Sequence, residues 1–256
     1  MNLKLSLGRC YLRVADPGKP VSLSTIFLLR RLSAGTDSLS PRNIGGSSRG
    51  LRHPILSQVL EHDEFGVWSL CTQTLNFIER EIQSRRPSVI LEFGSGISTL
   101  CLATFMHDLF GDSERIYVCS VEQNPSVLES TSSRLSKLKL DRYVRLVNAP
   151  LVPQRILGRD LRCYAVSEKD MEEIRRLRPD FVIVDGPAAE AGARFGPLPI
   201  VREAISPDAH VFLDDALRDG ELGTARDWVQ LLGLKADGIL PTRKGLLIGH
   251  LNRGSN

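Results

Sequence analysis

No stretch of the sequence approaches the ~18 consecutive apolar residues that a membrane-crossing helix needs. The one substantial apolar cluster near the start, Ile26-Phe27-Leu28-Leu29, is too short for the core of a secretory signal. Clustered cysteines are missing as well. Cys10, Cys71, Cys101, Cys119 and Cys163 stand singly with no Cys-x-x-Cys pair, which speaks against a disulfide framework or a zinc site and for buried thiols in a reducing compartment. His53, His62, His107, His210 and His250 are equally scattered, and each is read as a packed or surface side chain. A formal charge of +3 on 256 residues gives no electrostatic ground for nucleic-acid binding. What is present, 42% hydrophobic and 25% charged residues, suits one large α/β domain with appendages.

The charge is unevenly spread. Residues 1–50 carry eight Lys or Arg against Asp16 and Asp37, a net +6, which leaves −3 on the remainder. With its serines and the Asn43-Ile44-Gly45-Gly46-Ser47-Ser48 stretch, this segment reads as a flexible basic arm and linker ahead of a domain spanning 51–256. Acid-poor and Arg-rich, it is also compatible with an organellar transit peptide; otherwise a cytoplasmic protein is expected.

Val89-Ile90-Leu91-Glu92-Phe93-Gly94-Ser95-Gly96-Ile97-Ser98-Thr99-Leu100 organises the rest. Its aliphatic run predicts a parallel strand buried on both faces. Gly94 and Gly96 then predict a sharp turn whose bare backbone a ligand can approach. Thr99 stands where the dinucleotide fingerprint has its third glycine, and Glu92 precedes the turn. A carboxylate there repels a phosphate and attracts an ammonium, so a nucleoside with a cationic amino-acid end fits better than NAD. Ile116–Glu122 predicts a second strand ending in a carboxylate suited to the adjacent hydroxyls of a ribose.

Upstream, Val67, Trp68, Cys71, Leu75, Ile78 and Ile82 recur at helical spacing and predict a helix over about 66–84. Downstream, helices are predicted over 98–110 and 125–137, the latter capped by Asn124 and Pro125, with a third strand at 143–147. The stretch through Tyr164 has no regular pattern. A charged helix over 168–178 interleaves Arg175, Arg176 and Arg178 with four acids and reads as a solvated face. Strands at 180–185 and 209–214 end in Asp185 and in Asp214-Asp215, on the same sheet edge as Gly94 and Glu122. Arg194 and Arg218 suit either an anionic substrate or salt bridges. A helix over 222–232 precedes two strands, 234–240 and 245–251, too close together to pair other than antiparallel.

The first of these stretches resembles motif I of the class I S-adenosylmethionine-dependent methyltransferases, with Glu92, Gly94 and Gly96 matching and Ser98 replacing the last glycine. Phe181-Val182-Ile183-Val184-Asp185-Gly186-Pro187 and Phe212-Leu213-Asp214-Asp215 look like later motifs of its small-molecule group, which includes catechol-type O-methyltransferases. The resemblance covers roughly residues 66–250. It implies a doubly wound, seven-stranded Rossmann-like α/β sheet with an antiparallel C-terminal hairpin. It implies that Glu92, Gly94, Ser95 and Gly96 address the cofactor's amino-acid end, Glu122 its ribose, and Asn148 and Ala149 its adenine. Asp185 becomes the catalytic or substrate-orienting candidate. Catechol-type relatives hold Mg²⁺ at positions matching Asp185, Asp214 and Asp215, with Asp215 replacing their usual asparagine. The acceptor is expected to be a small molecule offering oxygen or nitrogen. An NAD(P)-linked oxidoreductase and a non-catalytic binding protein are the alternatives.

Overall fold

Aliphatic side chains on both faces of consecutive strands leave no solvent face, so helices must cover the sheet on both sides. The computed structural model describes residues 19–32, 50–54, 56, 60 and 69–252. The linker at 43–48, most of the basic arm, Cys10, Val67 and Trp68 lie outside the described residues.

In chain order the elements are α1 (Leu23–Leu32), α2 (Thr72–Arg85), β1 (Ile90–Phe93), α3 (Ile97–Phe110), β2 (Val118–Glu122), α4 (Pro125–Lys137), β3 (Val144–Asn148), β4 (Leu151–Ile156) and β5 (Arg159–Tyr164). There follow α5 (Glu168–Leu177), β6 (Phe181–Val184), α6 (Pro197–Val201), β7 (His210–Asp214), α7 (Asp219–Leu232), β8 (Lys235–Leu240) and β9 (Leu246–His250). Seven strands form one sheet in the order β3-β2-β1-β6-β7-β9-β8. The first five are mutually parallel, and β9 runs antiparallel to both β7 and β8.

The period of two along β1 divides the core. Leu91 and Phe93 pack on one face with Trp228 of α7 and Ile174 of α5, and Ile90 packs on the other with Ile78 of α2 and Leu102 of α3. Asn124 caps α4 by accepting the Ser126 N–H, and Ser167 caps α5 by accepting that of Asp170. The outer face of α5 carries Arg175–Glu172 and Arg176–Glu173 ion pairs, the solvated face expected of it.

Three features differ from expectation. The helix anticipated from residue 66 opens only at Thr72. Cys71 is extended at its N-cap, and Leu70 and Cys71 are buried without being helical. The stretch with no regular pattern holds β4 and β5, an antiparallel hairpin outside the main sheet. Within the basic segment, Val21 exchanges two 2.8 Å backbone hydrogen bonds with Ile239, covering the free edge of β8, and Ile26 enters the core. Among the described residues, no helix is long and apolar enough to cross a membrane. Cys71, Cys101, Cys119 and Cys163 are buried and free.

Candidate active site

The strand order reverses between β1 and β6, and in a doubly wound sheet the carboxyl ends of such neighbours part to leave a crevice. A cleft of about 280 Å³ opens there, lined by the Gly94–Ser98 turn, Glu122 to Asn124, Asp185, Gly186 and Ser69 among others. The first turn of α3 and the ends of β1, β2 and β6 thus meet at one place.

The two glycines of the turn do different work. A Cβ on Gly94 would lie 3.2 Å from the Gly186 nitrogen, and one on Gly186 would lie 2.2 Å from the Tyr164 hydroxyl. These two glycines exist so that β1 and β6 can touch. Gly96, at φ +151°, has nothing within 4 Å of the place a Cβ would take. Its bare backbone faces open cleft. Gly96→Ala is therefore expected to cost about 1–3 kcal/mol of stability through backbone strain while lowering affinity for a ligand lying on the turn about tenfold or more. Thermal melting and calorimetry with S-adenosylhomocysteine check the two halves.

Glu92 lies behind the turn, fully buried and outside the cleft lining. Its Oε2 accepts the hydroxyls of Thr99 at 2.6 Å and Ser120 at 2.7 Å. Thr99 Oγ1 in turn accepts the Gly96 N–H at 3.0 Å, and Ser95 Oγ lies 2.7 Å from Ser120 Oγ. Because Ser120 gives its proton to Glu92, the Ser95 hydroxyl donates to Ser120. The carboxylate therefore holds the turn in shape through two hydroxyls.

Burial pushes the Glu92 carboxyl up to about 7 from 4.5, against the hydrogen bonds of Ser98, Thr99 and Ser120. An acid whose pKa is raised on folding binds more protons in the native than in the unfolded state between those two values, so stability falls as pH rises through that window. The shift amounts to about 3 kcal/mol. Asp185, pushed up by burial to about 6, adds to the same trend. Denaturant unfolding at pH 5 and pH 8 is expected to show this loss and a shallower slope for Glu92→Gln. An unchanged slope in that variant would contradict the assignment.

Glu122 lines the cleft, accepting the Ser95 N–H at 3.0 Å on Oε2 and the Asn124 N–H at 2.8 Å on Oε1. Each oxygen keeps lone-pair capacity for a further donor. Asn148, paired beside Glu122 in the sheet, is exposed, and Ala149 is buried; neither lines the cleft.

Asp185, Asp214 and Asp215 do converge, with one oxygen from each within 4.8 Å of the others. Three cations converge with them. Arg194 lies 3.2 Å from Asp185 and 3.0 Å from Asp215, Arg218 lies 2.9 Å from Asp215, and Lys244 Nζ lies 3.8 Å from both Asp214 and Asp215. Burial and the neighbouring Asp185 and Asp215 hold the Asp214 carboxyl well above the ordinary range. Several of these carboxylate oxygens lack a hydrogen-bond donor in good geometry, as a hard cation would prefer. The charge balance decides otherwise. Three bases already face three acids, one of which is held well above the ordinary carboxylate range, so a dication would add two positive charges to a cluster that carries no net negative charge. As arranged, the set does not fit Mg²⁺.

Sequence reasoning passed over Thr99 and Ser120 as partners of Glu92 because hydroxyl residues carry no distinctive spacing. It also passed over Lys244, which stands in what reads as a plain hairpin turn.

Fold and cleft together define a doubly wound α/β protein with the seven-stranded Rossmann-like methyltransferase sheet. No protein-family model and no curated protein matches the sequence. Among solved structures, the chain is similar to a Staphylococcus aureus protein assigned as a caffeoyl-CoA O-methyltransferase, at 15% identity and TM-score 0.56, over 90% of this chain and 100% of that one. An O-methyltransferase from Bacillus cereus in complex with S-adenosylhomocysteine matches at 12% identity and TM-score 0.52, over 94% and 93%. TomG, an O-methyltransferase of tomaymycin synthesis from Streptomyces achromogenes in complex with S-adenosylmethionine, matches at 16% and 0.50, over 90% and 96%. At such identities the likeness is one of fold.

Proposed function

We propose that the protein is an S-adenosylmethionine-dependent methyltransferase acting on an oxygen or nitrogen of a small molecule. The observation that carries this reading is the pairing, across one cleft at the switch point, of the bare Gly96 backbone with Glu122. Glu122 is fixed by two backbone N–H groups and offers its remaining lone pairs to the two hydroxyls of a ribose. The amino-acid end of the cofactor lies along Gly94, Ser95 and Gly96, whose shape Glu92 maintains from behind. The adenine runs toward the end of β3, where Asn148 and Ala149 stand beside Glu122.

The acceptor enters at the other end of the cleft, over Asp185, Gly186 and Ser69. Its oxygen or nitrogen forms the new bond to the methyl carbon as the carbon–sulfur bond breaks. Sulfur keeps that electron pair, which leaves S-adenosylhomocysteine. The acceptor's proton passes to Asp185, the one acid of the buried cluster that lines the cleft. The protein's main contribution is to hold the two reactants in line.

Incubation with methyl-labelled S-adenosylmethionine and a panel of small phenols, carboxylates and amines tests the reading. It is expected to transfer label to at least one class, and Asp185→Asn is expected to slow that transfer at least tenfold. Full transfer by the variant would remove Asp185 from the chemistry.

A further inference from the structure

Arg194 comes from the turn Ala193–Phe195, which is tied to α7 because Trp228 Nε1–H donates to the Phe195 carbonyl at 3.0 Å. Its guanidinium reaches between the ends of β6 and β7, pairing with Asp185 and Asp215 and donating to the Asp214 carbonyl at 3.0 Å. Lys244 comes from the loop joining β8 to β9. That loop is pinned onto the segment after β7, where the Ala216 N–H donates to Gly245 O at 3.0 Å and the Leu217 N–H to Lys244 O at 3.2 Å. The Lys244 ammonium donates to the carbonyl of Ser69, a cleft-lining residue, at 2.9 Å.

Both side chains are nearly inaccessible, at 4% and 8% exposure, and both are placed by backbone contacts of their own elements. They are not surface partners that a metal ion could push aside into water. A dication held by Asp185, Asp214 and Asp215 would sit among the same oxygens that the guanidinium and the ammonium already face. Like-charge repulsion in a buried site would then oppose its binding.

We propose that Arg194 and Lys244 take the place of a divalent cation, so that the three acids bind no Mg²⁺ and the positive charge behind the acceptor end of the cleft is the protein's own. The consequence for catalysis, methyl transfer that needs no metal, rests on the methyltransferase reading. The consequence for metal binding does not.

Electron paramagnetic resonance of Mn²⁺, a hard six-coordinate stand-in for Mg²⁺, tests the proposal on the chelator-treated full chain. The free Mn²⁺ signal is expected to stay undiminished up to millimolar protein, with or without S-adenosylhomocysteine. Lys244→Met, which removes one of the cations facing Asp214 and Asp215, is expected to bind Mn²⁺ at least tenfold more tightly than the parent. Two results would overturn the proposal. One is stoichiometric Mn²⁺ uptake by the parent that Asp214→Asn abolishes. The other is no gain of affinity in a Lys244→Met protein shown by melting to be folded. Should that variant not fold, the parent measurement still decides. Titration of the same samples with S-adenosylhomocysteine separates the two readings, since a protein silent toward both ligands keeps the cation replacement and loses the methyltransferase.

Discussion

Glu122→Ala is expected to weaken S-adenosylhomocysteine binding by about 100-fold or more. Two charge-assisted hydrogen bonds from a ribose contribute about 1.5–3 kcal/mol each, and every 1.4 kcal/mol is a factor of about ten. The same truncation releases the N–H groups of Ser95 and Asn124, which Glu122 holds at 3.0 and 2.8 Å. Part of the loss would therefore come from a loosened turn. Glu122→Gln separates the contributions, because its amide oxygen still accepts one N–H but the charge is gone. An intermediate loss is expected in that variant. Calorimetry at fixed pH reads all three proteins, and an alanine variant that binds as tightly as the parent would place the ribose elsewhere.

Arg194→Met is expected to destabilise the fold by about 3–5 kcal/mol, the range seen when one partner of a buried ion pair is removed. The guanidinium lies 3.2 Å from Asp185 and 3.0 Å from Asp215, and burial opposes its charge less than Asp185, Asp215 and Asp214 favour it. Without it, Asp185 loses its ion pair, and Asp215 keeps only Arg218 at 2.9 Å and Lys244 at 3.8 Å. Denaturant unfolding measures the effect. Arg194→Lys should recover part of it, since an ammonium restores the charge without the fork that reaches both acids. A loss under about 1 kcal/mol in the methionine variant would show that the cluster does not depend on Arg194 for its balance.

The parts of this fold that could be read from sequence are those in which one physical demand acts over several neighbouring residues. Phe181-Val182-Ile183-Val184 must be apolar throughout because both faces of β6 are covered, and the run ends where Asp185 reaches the cleft. The closing hairpin was legible because four residues cannot carry a crossover between parallel strands. β4 and β5 were not. They contain Pro153 and the exposed Arg155, Asp160 and Arg162, while a charged residue, Arg159, folds back over the buried Phe195 ring, which blurs the alternation.

The site divides in the same way. Gly94, Gly96, Glu122 and Asp185 sit at strand ends, where position along the chain already fixes position on the sheet edge. Sequence could not show that Glu92 faces Thr99 and Ser120 instead of the cleft, because that depends on which side of the turn the β1 pleat presents. Nor could it show that Lys244, 30 residues after Asp214, returns to within 3.8 Å of it. Such pairings arise from tertiary closure, and no local pattern records them.

The most direct test of the whole account is titration calorimetry of the parent protein with S-adenosylhomocysteine, with NAD as the parallel ligand. One site of micromolar affinity for the former and no heat with the latter is the expected result. No heat with S-adenosylhomocysteine, from protein shown to be folded by its cooperative melt, would contradict the account.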